Sequence, residues 1–359
     1  MTVERQTFHQ QISQNKRRSI LLMGAVVLLF CVLAWFFGFY LAGDPANAIW
    51  FVPVGGIIAV VISLGALFGG DGMILGVSRA RQVTDADEPQ LMNVVRELSL
   101  SANLPEPKVY VIEDTALNAF ATGRDPEHAS VAVTRGLLDR LDREELQGVV
   151  GHELAHVANY DIRFSLLVGV LVGSIALMAD LLARMTIWGS MTRGRGSNRG
   201  GGGGGQVIIL AIGLLVAILA PLFARLVQMA VNRQREFLAD ATSVQLTRNP
   251  YGLERALAKL ATDTEKLDGA NKATQHLYFV NPVKKLEHSA RGLFSTHPAI
   301  VDRINRLRKL TGQPEVDESG IAEIAGLRRG AATSLAPASN ARRRSTVPSG
   351  SRTKPVMRP

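Results

Sequence analysis

The sequence predicts an α+β, mainly helical fold in which two soluble stretches are separated by a central apolar hairpin and preceded by an N-terminal one, four membrane segments in all. Three observations carry this prediction. The 359 residues are 47% hydrophobic and only 20% charged, against about a quarter charged in an average soluble protein. The apolar residues are gathered into four long runs rather than distributed with amphipathic spacing. Between the runs, helical periodicity alternates with a few short β-branched stretches.

The first run, Ile20 to Ala42, has 23 residues without a charge and follows Lys16, Arg17 and Arg18. A helix of that length covers the roughly 30 Å hydrocarbon core of a bilayer. A cleaved signal peptide has a shorter apolar core, and a second run follows at once, which favours a retained hairpin. That second run is Ile49 to Gly69, joined to the first through a loop whose only charge is Asp44 and followed by Arg79 and Arg81. Positive flanks before the first helix and after the second put residues 1–19 in the cytoplasm and make 20–77 a transmembrane hairpin with its ends inside. The lone cysteine, Cys31, sits in the apolar run, so no intrachain disulfide forms.

The remaining runs are shorter. Phe164 to Ala179 ends before Asp180 and Arg184, and Val207 to Ala224 contains Pro221. Between them lie Arg193, Arg195, Arg199 and the glycines Gly201–Gly205. Residues 164–225 are therefore expected to form a second membrane hairpin with a Gly-rich loop. Three arginines in an external loop oppose the positive-inside bias, so a re-entrant pair stays open beside a spanning pair. Either arrangement returns the chain to the side it left.

The soluble stretches are 78–163 and 226–311. Glu88 to Asn103 has helical spacing (Leu91, Val94, Val95, Leu98), which Pro105 and Pro107 end before a strand at Lys108–Ile112. Ser130–Thr134 is a second strand after a turn at Gly123–Pro126. Asp142 with Glu145 three positions on forms a capping box, opening a helix that runs through His152 and His156. The second stretch is helical and ends at Ile304–Leu310. From about 312 to 359, Ser, Pro, Ala and Arg replace apolar periodicity, the pattern of a disordered tail. From Arg328 onward it carries eight basic residues and no acid, all but one unit of the net charge of +9. Such a tail suits contact with anionic lipid headgroups. Nucleic acid is a poor fit, because no aromatic residue follows Phe294.

The chemistry is concentrated in His152-Glu153-Leu154-Ala155-His156. On a helix, positions i and i+4 share a face, so both imidazoles can reach one ion. Zinc accepts neutral imidazole and, with three protein ligands, keeps a position for water. Glu153 lies where a carboxylate can take that water's proton. Val149, Val150, Leu154 and Val157 supply an apolar face, while Asn159 and Asp161 follow as polar candidates to support the ligands.

A third ligand must come from elsewhere. His276, His288, His297 and the acids are the candidates, and Glu236 stands out. Asp240 shares its helical face, free to hold a ligand histidine by the other ring nitrogen. A solvated Arg/Glu helix face is the commoner origin of such a pattern in isolation; beside the histidine pair, the ligand reading prevails. If the helices continue out of the central hairpin, His156 and Glu236 fall at similar heights, roughly 12–17 Å from the apolar boundary. The site then sits near the bilayer surface on the cytoplasmic side, and one zinc ion per chain is expected.

H-E-L-A-H-V-x-N-x-D at 152–161, R-x-x-E-x-x-A-D at 233–240, Asn118–Gly123 and Ser295–Pro298 occur in this order. Together they resemble the HtpX-like family of membrane zinc metalloproteases, relatives of the CaaX prenyl endopeptidases, over roughly residues 15–311. The resemblance implies a zincin-like catalytic domain in two parts, with His152, His156 and Glu236 as ligands and Glu153 as base. It adds Asn118, on a strand edge that would pair with the substrate backbone, and His297 as donor to the developing oxyanion. By themselves, Asn118 reads equally as a turn residue and His297 as a helix-start residue. Arg303 is a further residue placed to pair with an acid near the site.

The resemblance also implies polypeptide substrates, membrane proteins in quality control among them, and a multi-pass inner-membrane location. Two other readings compete. A CaaX-type processing enzyme would need a lipid-accommodating chamber of additional helices. A non-enzymatic scaffold would bind acidic partners through the tail and dispense with Glu153.

Overall fold

The structure, a computed structural model, describes residues 8–42, 44–168, 233–263, 265 and 298–326. The chain opens with a 35-residue helix, α1 (Phe8–Ala42), so the helix begins twelve residues ahead of the apolar run. Asp44 caps the next short helix, α2 (Pro45–Ala48), by accepting from the backbone N–H groups of Ala46 and Asn47. A single 3₁₀ turn, Ile49–Phe51, leads into α3 (Val52–Val77). The stretch Pro45–Val77 is long and apolar enough to cross a membrane.

α1 and α3 pack as an antiparallel pair. α3 offers a buried stripe of small residues, Gly55, Ala59, Ser63, Ala66 and Gly70, the pattern that lets helix backbones approach closely in lipid. At Gly55 the approach is tight: a Cβ there would stand 2.5 Å from the carbonyl oxygen of Phe30. Leu22, Val26 and Leu29 of α1 close on this stripe. The opposite face of α3, with Ile57, Val61, Leu64 and Phe68, is exposed, an apolar surface that water does not favour.

The sheet follows: β1 (Arg81–Gln82), β2 (Lys108–Ile112), β3 (Ala119–Gly123) and β4 (Ala129–Thr134), in spatial order β1-β2-β4-β3. β2 and β4 run parallel, Val109 opposite Val131, while β3 pairs antiparallel with β4, Phe120 opposite Ala132. α4 (Pro89–Ser101) buries Leu91, Val94, Val95 and Leu98, the periodicity read from sequence. α5 (Arg135–Arg140) leads into α6 (Arg143–Ala158), whose N-terminus carries the expected capping box between Asp142 and Glu145.

The central apolar hairpin, 164–225 with its Gly-rich loop, is described only at its first five residues; the rest lies outside the described residues. Those five belong to a helical stretch at 161–168, where Phe164, Leu167 and Val168 pack against α1 and α3. Leu166 turns instead to Ile74 of α3 and Phe120 of β3, joining the N-terminal hairpin to the sheet.

The second soluble part supplies α7 (Arg233–Thr247), α8 (Pro250–Thr262) and α9 (Ile300–Leu310). α6 lies among α4, α7, α8 and the sheet in one apolar core. Gly148 makes the contact with α8 possible, since a Cβ there would meet the Leu253 backbone at 2.7 Å. The expectation that disorder starts at 312 is corrected. Asp317 caps a further helix, α10 (Glu318–Ile324), and Ile321 is buried in the main core beside α8. A seven-residue helix with one buried apolar anchor is too short for periodicity to reveal it. The basic residues from Arg328 lie outside the described residues.

Candidate active site

The site forms where α6 and α7 face each other. Within α6, His152 and Glu153 are buried and His156 is partly buried. On α7, Glu236, Asp240 and Ser243 follow one another at helical spacing, all buried. Ser243 fixes the pairing of the two helices, its Oγ donating to the Gly148 carbonyl at 2.6 Å. The contact brings residues 84 positions apart into one cluster, in which ligand-type atoms of His152, His156 and Glu236 all lie within 4.8 Å of one another. His152 Nε2 and His156 Nε2 are 3.1 Å apart. Each stands 3.7 Å from a different oxygen of Glu236.

Both histidines are oriented from behind by the same kind of chain. His152 Nδ1 lies 2.9 Å from Asp240 Oδ1, and Asp240 accepts from Arg303, Nε to Oδ2 at 2.9 Å and a terminal nitrogen to Oδ1 at 2.6 Å. His156 Nδ1 lies 3.0 Å from Asp161 Oδ2, and Arg235 donates to Asp161 Oδ1 at 3.1 Å. A carboxylate at Nδ1 puts the ring hydrogen there and leaves the Nε2 lone pair for a cation. Two such lone pairs 3.1 Å apart repel unless a proton or metal ion lies between them.

The electrostatics agree with a cation site. Burial, reinforced by the Arg303 charge, lowers the His152 pKa to about 4, keeping the ring neutral. Burial also opposes a charge on His156, but the Asp161 hydrogen bond and the Glu236 charge outweigh it and raise its pKa to about 9. The negative potential that would hold that proton is the potential that would hold a metal. Glu153 is pushed up to about 7 by burial, with His156 opposing and Glu236 adding to the rise. A carboxyl near neutrality can both accept and return a proton.

Glu153 also faces the sheet, where the Ala121 backbone N–H favours its charged form. β3 is the outer strand beyond β4. The Thr134 N–H donates to the Asn118 carbonyl. By antiparallel alternation the backbone groups of Ala119, Ala121 and Gly123 then point to the outer edge. Asn118 sits just ahead of this strand, buried, its Oδ1 accepting from the Ala119 N–H at 3.0 Å.

The family follows from matches on two scales. The model of Peptidase family M48 matches residues 85–311, a span that contains α6 and α7 with all three members of the cluster. The chain belongs to peptidase family M48. Among its M48 relatives, a protease HtpX homolog of Streptococcus uberis is 41% identical over 302 residues, 84% of this chain and 99% of that one. A protease HtpX homolog of Listeria monocytogenes is 39% identical over 305 residues, again 84% and 99%. Among solved structures, S. mikatae Ste24p is similar with a TM-score of 0.44 and 18% identity, covering 83% of this chain and 66% of that one.

Of the residues singled out from sequence, His152, His156, Glu236, Glu153 and Asp240 are brought together here, and Asp161 joins them. Asn159 is the buried C-cap of α6, and its carbonyl accepts from Asn15 Nδ2. His276, His288 and His297 lie outside the described residues. Arg235 and Asn15 were not anticipated, and Arg303 was anticipated only as a partner for some acid. A signal for Arg303 was present: Ile300, Arg303, Ile304 and Leu307 follow i, i+3, i+4, i+7, which puts an arginine in the apolar stripe of α9. Arg235, in a run of alternating charge, and Asn15, in a polar N-terminus, had no comparable mark.

Proposed function

We propose that this M48 chain is a membrane-anchored zinc endopeptidase, with His152, His156 and Glu236 holding the metal and Glu153 transferring the proton. The observation that carries this reading is the paired arrangement of two imidazole Nε2 atoms and one carboxylate, each ring held at Nδ1 by its own buried aspartate. Tetrahedral zinc with ligands at about 2.05 Å requires them roughly 3.3 Å apart. The observed separations of 3.1, 3.7 and 3.7 Å fit that demand with small adjustments. Two nitrogens and one carboxylate oxygen are also a donor set that suits a catalytic zinc. A bound zinc ion would supply Lewis acidity toward water and the scissile carbonyl.

The protein's own groups do the rest. Glu153, buried between the cluster and β3, takes the proton of the attacking water and delivers it to the leaving nitrogen as the carbon–nitrogen bond breaks. The outer edge of β3 offers the backbone carbonyls of Ala119, Ala121 and Gly123 to an extended peptide, with Asn118 bracing the start of that edge through the Ala119 N–H. The role of His297 as a donor to the developing oxyanion rests on the resemblance of Ser295–Pro298 to the family motif.

The location proposed is a multi-pass inner-membrane protein with the site on the cytoplasmic face, acting on membrane proteins in quality control. Two features support a site near the bilayer. Leu166, five residues after Asp161, packs against α3, and α1 continues helically past its apolar run toward the site. Contact of the basic tail with anionic lipid is part of the same picture.

Protein purified in detergent is expected to carry one zinc per chain, to cleave casein, to stop when the metal is chelated and to resume when zinc is returned. Cleavage that survives complete removal of metal would overturn the reading. For topology, reporter fusions after residues 120 and 270 are expected to report cytoplasm and one at Asp44 the opposite side. A cytoplasmic signal from a fusion within Gly201–Gly205 would replace the spanning hairpin by a re-entrant one and leave the metal site untouched.

A further inference from the structure

A buried polar contact joins the N-terminal helix to this site. Asn15 lies on α1 five residues before the apolar run begins, and it is buried. Its Nδ2 donates to the carbonyl oxygen of Asn159 at 2.9 Å and to Oδ1 of Asp161 at 2.7 Å. Both hydrogens of the amide are thereby used. The other oxygen of Asp161 is the one that holds His156 Nδ1. Two hydrogen bonds thus separate α1 from a residue of the metal cluster, across 141 positions of sequence.

The neighbouring residues of α1 grip the same turn. The Lys16 ammonium sits 4.3 Å over the Tyr160 ring, and Arg18 is near enough to Arg235 and Asp161 for both charges to act on it. Tyr160 has a φ of 60°, a left-handed conformation that a bulky residue adopts only when its surroundings hold it there. That turn redirects the chain from α6 so that Asp161 comes back against His156. An alanine at position 15 would leave a buried carbonyl and a buried carboxylate each short of a donor.

We propose that Asn15 is a positioning residue of the metal centre: through Asp161 it fixes the orientation of the His156 ring, so that the N-terminal helix is a working part of the centre and not only its anchor. The inference rests on the reading of His152, His156 and Glu236 as metal ligands.

The test measures zinc affinity by competition with a chelator in the full-length protein in detergent, for the wild type, Asn15→Ala, Asp161→Ala, the double variant and Leu22→Ala. Removing the partner that directly holds a ligand histidine costs about 10- to 100-fold in metal affinity, the loss expected in Asp161→Ala. Asn15→Ala leaves Arg235 on Asp161 and is expected to weaken zinc binding by about tenfold, the lower end of that range. The double variant is expected to bind no more weakly than Asp161→Ala, because the two residues act through one path. Leu22→Ala removes a buried side chain from the same helix; it is expected to lower the thermal midpoint with zinc affinity unchanged. Asn15→Ser, with one short donor, replaces Asn15→Ala if that variant does not purify, and the same loss is expected. Wild-type affinity in the Asn15 variant, or losses that multiply in the double variant, would overturn the inference while leaving the metal reading in place. A wild-type protein that binds no metal would overturn both.

Discussion

Glu153→Gln is expected to retain its metal and to lose peptide hydrolysis by a factor of about 10²–10⁴, the usual contribution of a positioned proton-transfer group. The substitution is nearly isosteric at a buried position. The amide oxygen can still face the Ala121 N–H, so the packing of α6 against β3 is kept. None of the three proposed ligands changes. What disappears is the capacity to accept a proton from water and return it to the leaving nitrogen. Metal content and casein cleavage, measured on the same preparation, separate the two roles. Cleavage above a few per cent of wild type (on the scale of the 10²-fold minimum expected) would remove Glu153 from the mechanism. Loss of metal would instead make it a structural residue.

Arg303→Met is expected to cost about 3–5 kcal/mol of stability, the range for breaking a buried ion pair by removing one partner. Arg303 is 1% exposed, bonds both oxygens of Asp240 and lies 3.7 Å from Glu236. Methionine fills much of the space, so the loss would come from two buried carboxylates left without their cation rather than from a cavity. With its balancing charge gone, Asp240 favours protonation and no longer fixes the His152 ring, so zinc affinity should fall with stability. Arg303→Lys keeps the charge but cannot make the forked contact, and should fall between the two. Thermal unfolding and chelator competition check both effects. An unchanged midpoint in Arg303→Met would mean that Asp240 and Glu236 do not depend on this cation.

Both experiments bear on a site that was legible in unequal parts. The i, i+4 placement of His152 and His156, and of Glu236 and Asp240, is a property of helical periodicity and needs no knowledge of the rest of the chain. The capping box at Asp142 and Glu145, the apolar face of α4 and the strand at Lys108–Ile112 are equally local. α10 escaped because one buried isoleucine in seven residues makes no period. The extent of α1 escaped because the reading followed hydropathy, and residues 8–19 are helical without being apolar.

From the sequence by itself came the histidine pair, the glutamate between them, the third member of the cluster, the N-terminal apolar hairpin and the family resemblance, because each rests on residues within a few turns of one another or on an ordered motif. Only the tertiary structure decided which side chains stand behind the two histidines. Arg303, Arg235 and Asn15 reach Asp240 and Asp161 from three different helices, over separations of 63, 74 and 146 positions. An arginine or asparagine in a helix is compatible with solvent, with a neighbouring acid or with a distant one. Burial selects among these, since a buried carboxylate must find donors, and burial is set by how α7 packs on α6, how α9 packs on α7 and how α1 meets the turn after α6.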